Sequence, residues 1–141
     1  MTNEQMKERN ERLRKANLLI QTIATTGRNF FFHKGNISHF QLGSQWRIWF
    51  VDGYAGTKVF VYGNHRWRGF SEVGTLKELV KQLRDYIAHD IKIASALGPY
   101  PGWYSNGDPW GYEGDMAKVR DKAIELGIVD IGTIDSSPKI G

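Results

Sequence analysis

Residues 75–87 constrain the fold more than any other stretch. In T-L-K-E-L-V-K-Q-L-R-D-Y-I, the apolar residues Leu76, Leu79, Val80, Leu83, Tyr86 and Ile87 recur at i, i+3, i+4 and i+7, with Lys77, Lys81, Arg84 and Asp85 opposite. That spacing predicts an amphipathic helix whose apolar stripe needs a partner surface. Thr75 and Glu78 stand at capping-box spacing and predict where the helix begins. Burying these side chains at roughly 1.5–3 kcal/mol each makes the helix a principal source of stability.

The partner is expected from the residues upstream. Five short runs, 29–33, 37–42, 45–51, 57–62 and 65–70, are rich in aromatic and β-branched residues and are separated by glycine- or asparagine-containing turns. Connections this short force antiparallel neighbours, so the runs predict a β-meander of five strands. A helix is expected over 2–26. Thr2 and Gln5 form a capping box, Leu13, Ala16, Ile20, Ile23 and Ala24 form the stripe, and Gly27 is the stop. Its first ten residues are almost wholly polar, so its opening turns are expected to project into solvent or fray.

From 98 to 114 the sequence G-P-Y-P-G-W-Y-S-N-G-D-P-W-G-Y-E-G excludes regular elements and predicts an aromatic loop. A last helix is expected over 115–126, with Asp115 as its cap and Gly127 as its stop, followed by a poorly ordered tail over 130–141. The fold class is therefore α+β: N-terminal helix, meander, central helix packed on it, aromatic loop and C-terminal helix. At 141 residues the whole chain, 1–141, reads as one domain. Its parts are 1–27, a sheet-plus-helix core over 28–90, the loop 98–114, the helix 115–127 and the tail.

Cysteine is absent, which excludes disulfides and thiolate metal sites. No apolar run approaches the ~20 residues of a membrane span, and the polar start is unlike a secretory signal. The reading is cytoplasmic. The net charge is +4, and its distribution is uneven. Between residues 28 and 70 the cations Arg28, Lys34, Arg47, Lys58, Arg66 and Arg68 stand against Asp52 alone. Cations concentrated on a sheet suit a polyanion. They equally suit strand edges protected from edge-to-edge pairing.

Alternation along the strands sorts two faces. Trp46, Ile48, Phe50, Val59 and Val61 make an apolar face for the central helix. Arg47, Trp49, Lys58, Phe60, Tyr62, Arg66 and Arg68 make a face of interleaved aromatics and cations, suited to stacked bases and neutralised phosphates. The N-terminal helix or the 98–114 loop, with Trp103 and Trp110, would turn that face into core if either covered it. Alternatively, these two loop tryptophans extend the binding surface. Ser71 and Thr75, beside Gly69 and Gly74 at the start of the central helix, form a candidate anion site that is also how a capped helix begins.

Catalytic signals are weak. His33, His39, His65 and His89 have no metal-ligand spacing, and no phosphate-cradling glycine motif or nucleophile elbow occurs. Asp108, Glu113 and Asp115 cluster in sequence and leave a small nuclease or hydrolase as a minor alternative. No catalytic residue, metal or cofactor is assigned.

Two blocks, W-R-G-F-S-E-V-G-T-L-K-E-L-V-K-Q-L-R-D-Y-I (67–87) and G-D-P-W-G-Y-E-G-D-M-A-K-V-R-D-K-A (107–123), resemble small accessory proteins carried by bacteriophages and prophages. A meander followed by one helix is also similar in topology to the whirly-like single-stranded-DNA-binding fold. The resemblance implies a phage or prophage gene, and hence a place in the host cytoplasm. Taken with the basic sheet and the lack of catalytic motifs, it leads to the expectation of a non-enzymatic binding protein that antagonises a bacterial defence system, by binding a host defence protein or by sequestering a nucleotide signal. Single-stranded nucleic acid is the alternative partner. Edge strands and exposed aromatics leave room for a homodimer.

Overall fold

The computed structural model describes residues 1–27, 29–53, 56, 58–60, 74–93 and 114–129. In chain order these form α1 (Asn3–Ala24), β1 (Phe32–His33), β2 (Asn36–Ile37), β3 (His39–Leu42), a 3-10 turn (Ser44–Trp46), β4 (Ile48–Val51), β5 (Lys58–Phe60), α2 (Gly74–His89) and α3 (Asp115–Glu125). The class is α+β, with three helices and short antiparallel strand pairs among the described residues.

The expected five-strand meander is replaced by a β1-β2 hairpin and a separate sheet in the order β3-β4-β5. Backbone conformation is the reason. Asn29 and Phe31 have φ of 55° and 71°, which ends any strand before Phe32. The β1-β2 turn is the two-residue pair Lys34-Gly35, both at positive φ (47° and 85°), the requirement of a tight hairpin. Run 37–42 is split at Ser38. There the N–H donates to the Phe31 carbonyl (2.8 Å), while the hydroxyl accepts from the Gly53 N–H (2.8 Å). Run 45–51 shortens because Gln45 and Trp46 are both left-handed (59° and 58°). Trp46 therefore sits half-buried in a turn and not on the apolar strand face. The run 65–70, the loop 98–114 and the tail 130–141 lie outside the described residues.

α1 begins as its capping box dictates. The Thr2 hydroxyl accepts from the Gln5 N–H (3.1 Å), and the Gln5 side chain accepts from the Thr2 N–H (2.9 Å). Its buried stripe is Ala16, Leu19, Ile20, Ile23 and Ala24, and the helix touches β3, α2 and α3. The α2 stripe of Leu79, Val80, Leu83, Tyr86 and Ile87 is buried as expected, in one core with Phe31, Phe40, Ile48 and Phe50. Phe50 meets Phe40 and Phe31 edge-on, at centroid distances of 5.2 and 6.1 Å.

α2 opens at Gly74, so Thr75 falls inside its first turn and is not the cap residue. First-turn N–H groups have no intrahelical partner in any case, so a glycine is tolerated there. Nor is Asp115 a cap: Gly114, at φ 98°, precedes α3, and Asp115 is the first helical residue, where a carboxylate faces the positive helix end. α3 closes on Gly127 (φ 75°), whose N–H donates to Ile124 while that of Ile128 reaches back to Ala123, both at 3.0 Å. Its buried residues include Val119 and Ala123, and Ile124 is half-buried.

Two polar clamps join distant elements. The Asn17 side chain donates to the Phe40 carbonyl (3.0 Å) and accepts from the Phe40 N–H (2.7 Å), so α1 satisfies both outward backbone groups of β3 at that residue. Arg9 donates to the carbonyls of Trp46 and Ala88, and Arg12 to that of Ile87, each at 3.1 Å. The opening turns of α1 are largely exposed, as expected, yet Arg9 and Arg12 reach from them to close the C-terminal carbonyls of α2, where cations are favoured.

Replacing Asn17 with alanine removes both partners of the Phe40 backbone behind α1. The expected loss is about 1–3 kcal/mol in urea unfolding, without loss of the native spectrum. An unchanged midpoint would show that water satisfies those groups and that the clamp contributes nothing.

Candidate binding surface

The pairing register decides which side chains share a face. Trp49 stands opposite Gln41 on one side and Phe60 on the other, and Val51 stands between His39 and Lys58. Phe40, Leu42, Ile48 and Phe50 therefore point to the inner face, where α1 and α2 share the core. α1 does not cover the outer face. That face carries His39, Gln41, Trp49, Val51, Lys58 and Phe60, all half-buried or exposed.

Phe40 gives its backbone groups to Asn17, so Phe40 and Phe50 are a non-hydrogen-bonded pair across the β3-β4 ladder. Alternation then makes Gln41 and Trp49 a hydrogen-bonded pair, and Trp49 and Phe60 a close, non-hydrogen-bonded one. The rings accordingly approach to 5.1 Å between centroids, inclined at 46°. Lys58, diagonal to Trp49, lays its ammonium 5.0 Å from the indole centroid. The indole edge rests on Gly43, where an added Cβ would lie 2.8 Å from the indole nitrogen. Strand neighbours and a glycine hold the ring in place. Arg47, exposed and extended just before β4, is on the same side as Trp49.

Arg47, Trp49, Lys58 and Phe60 are thus gathered on one surface. Thr75 is the second residue of α2, and its side chain lies outside what the structure describes. Tyr62, Arg66, Arg68, Ser71, Trp103 and Trp110 lie outside the described residues, as do Asp108 and Glu113. The surface also includes Gln41 and His39, which sequence reasoning missed. The alternation of Phe40 and Leu42 with His39 and Gln41 carried the signal, but assigning it needed the β3-β4 register. Among the described residues no group of three or more histidine or acidic side chains could hold a metal ion.

A concavity of about 510 Å³ lies elsewhere, between the start of α1 and the end of α2, lined by Gln5, Glu8, Arg9, Arg12, His89 and Asp90 among others. Its charges are mixed, and Arg9 and Arg12 are already engaged with backbone carbonyls. Beside it Tyr86 is 2% exposed. Its phenol is held above the ordinary tyrosine range, first by burial and then by the Asp90 carboxylate, with Arg12 opposing.

These features define a small α+β protein in which, among the described residues, three helices accompany short antiparallel strands and one sheet face is lined by aromatics and cations. The chain belongs to the YoqU family: the family model, described as YoqU, matches residues 5–139. It is 32% identical over 132 residues to the "SPbeta prophage-derived uncharacterized protein YoqU" of Bacillus subtilis (strain 168), an alignment covering 91% of this chain and 88% of that protein. The expected prophage relationship is thereby supported. No solved structure matches the chain, and the likeness to the whirly-type fold finds no support. No helix among the described residues is long and apolar enough to cross a membrane.

Burial of the Tyr86 hydroxyl has a consequence for stability. Below about pH 10 the phenol is neutral in both states. Above it the unfolded chain releases the proton more readily than the folded one, so rising pH favours unfolding. Thermal midpoints from pH 8 to 11 should fall more steeply for the parent protein than for Tyr86→Phe; parallel curves would remove Tyr86 as the source.

Proposed function

We propose that this is a non-enzymatic prophage accessory protein that binds a nucleotide on the outer face of the β3-β4-β5 sheet and, by sequestering a host nucleotide signal, antagonises a bacterial defence system. The observation that carries the reading is the Trp49–Phe60–Lys58 cluster with Arg47 beside it. An aromatic platform supports a base, and flexible cations at its margin neutralise phosphate. Lys58 now rests on the indole, a contact worth about 0.5–1 kcal/mol at an exposed site. Stacking a base on an aromatic ring is worth about 1–3 kcal/mol. A base therefore displaces the ammonium at a net gain, and the released Lys58 is free to meet the phosphate.

The cationic series continues in sequence to Arg66 and Arg68, which favours single-stranded nucleic acid as a second reading. The two differ in salt response, because a strand engages several phosphates and releases a counterion at each.

Calorimetric titration with nucleoside monophosphates and cyclic dinucleotides, beside a labelled oligonucleotide over a salt series, tests both. The expected result is nucleotide binding that weakens roughly 5- to 150-fold in Trp49→Ala. Lys58→Glu should weaken it as well, with the thermal midpoint retained. Oligonucleotide binding alone, collapsing steeply with salt, would replace the nucleotide by the strand. Absence of binding to any of them at low salt would leave direct capture of a host protein and remove this surface from the argument.

A further inference from the structure

Gln41 lies directly opposite Trp49 in the β3-β4 register and shares its outward face. It is exposed, and its side-chain amide makes no hydrogen bond to another described residue. His39, two positions along the same strand, is half-buried and has its Nδ1 3.2 Å from the Ile37 carbonyl, so it is occupied locally. Across the face, Lys58 stands on the far side of the platform, on β5. Three adjacent strands thus present an amide, an indole and an ammonium in that order. At about 4.8 Å per strand the amide and the ammonium are carried by strands roughly 10 Å apart. That is comparable to the reach from the outer edge of a base to its 5′-phosphate.

Resting on the nucleotide reading above, we infer that Gln41 reads the Watson–Crick edge of the bound base. With the base over Trp49 and its phosphate at Lys58, the edge farthest from the sugar is directed at Gln41. A glutamine amide offers a donor and an acceptor side by side. Adenine presents there the complementary pair of its 6-amino group and N1; guanine presents the reverse pair, which the amide meets by turning over. Gln41 therefore demands a base with an adjacent donor and acceptor, but does not dictate which purine it is. It also requires the edge to be free, so a base already paired in a duplex is refused. The occupant is a free nucleotide; an unpaired strand and a duplex are alternatives that the test separates.

The intact chain is titrated with adenosine 5′-monophosphate and with purine riboside 5′-monophosphate, which keeps the ring and phosphate but lacks the 6-amino donor. The parent protein should prefer the adenosine nucleotide roughly 2- to 12-fold, the scale of one net hydrogen bond. Gln41→Ala should bind both equally, below the affinity of the parent for the purine analogue, whose N1 still accepts from the Gln41 amide, and with an unchanged thermal midpoint. Equal binding of the two by the parent protein overturns the role of Gln41 while leaving the stacking site intact. A preference that survives Gln41→Ala also overturns it. Failure of both nucleotides to bind removes the underlying nucleotide reading as well. Binding of an unpaired oligonucleotide in place of both replaces the free nucleotide as occupant, and equal binding of duplex and unpaired strand excludes a Watson–Crick reader.

Discussion

The bond between α1 and the edge of the sheet is the constraint on which the rest depends. A strand pair shifted by one residue turns every side chain to the other face. Asn17 ties β3 to α1 by taking both backbone groups of Phe40, at 2.7 and 3.0 Å, on the edge away from β4. Phe50 pairs with Phe40 across the ladder on the core side, and Trp49 takes the outer face. The same clamp covers part of an edge that would otherwise offer free N–H and C=O groups to another chain. One amide on a helix thus anchors the strand from which the two faces of the sheet are laid out.

The second connection acts at the other end of α1. Arg9 joins the turn at Trp46 to the last carbonyls of α2, and Arg12 adds Ile87. Gln45 and Trp46 hold left-handed backbone conformations, each a cost of roughly 1–2 kcal/mol for a residue with a side chain. Without an external partner that turn has little reason to persist. The guanidinium supplies one, and the turn in turn shortens β4 so that it starts at Ile48. A stretch that reads as solvent-facing polar residues is therefore what closes α2 and shapes the β3-β4 loop.

How much of this was legible in the sequence depended on the range of the interaction. The α1 capping box and the α2 stripe rest on residues three or four apart, and the box and the stripe from Leu79 to Ile87 are present as read. The division into inner Ile48 and Phe50 against outer Trp49 and Phe60 was also legible, because period-two alternation is local. What was not legible was long-range. Asn17 meets Phe40 across 23 positions and Arg12 meets Ile87 across 75, and neither pairing leaves a pattern in the intervening sequence. The split at Ser38 has the same origin, since its partners are Phe31 and Gly53. Gln41 was overlooked for this reason: nothing in F-Q-L marks a glutamine as the neighbour of a tryptophan eight residues away until the register is known.

The outer face differs from an ordinary strand surface in what holds its central ring. An indole on an open sheet is usually free to change rotamer. Here Trp49 is bounded by Phe60 at 5.1 Å on one side and by Gly43 along its edge. A side chain at position 43 would push a Cβ into the indole nitrogen, so the glycine is required by the ring and not by its own backbone conformation, whose φ is −98°. Rigid aromatics bind with less loss of conformational freedom than mobile ones. The cation beside the ring has the opposite character, a flexible ammonium held by a weak contact that a stacked base outweighs. A fixed platform with a movable counter-charge suits a ligand that combines a flat ring with a phosphate, and a bare polyanion would make no use of the fixed half.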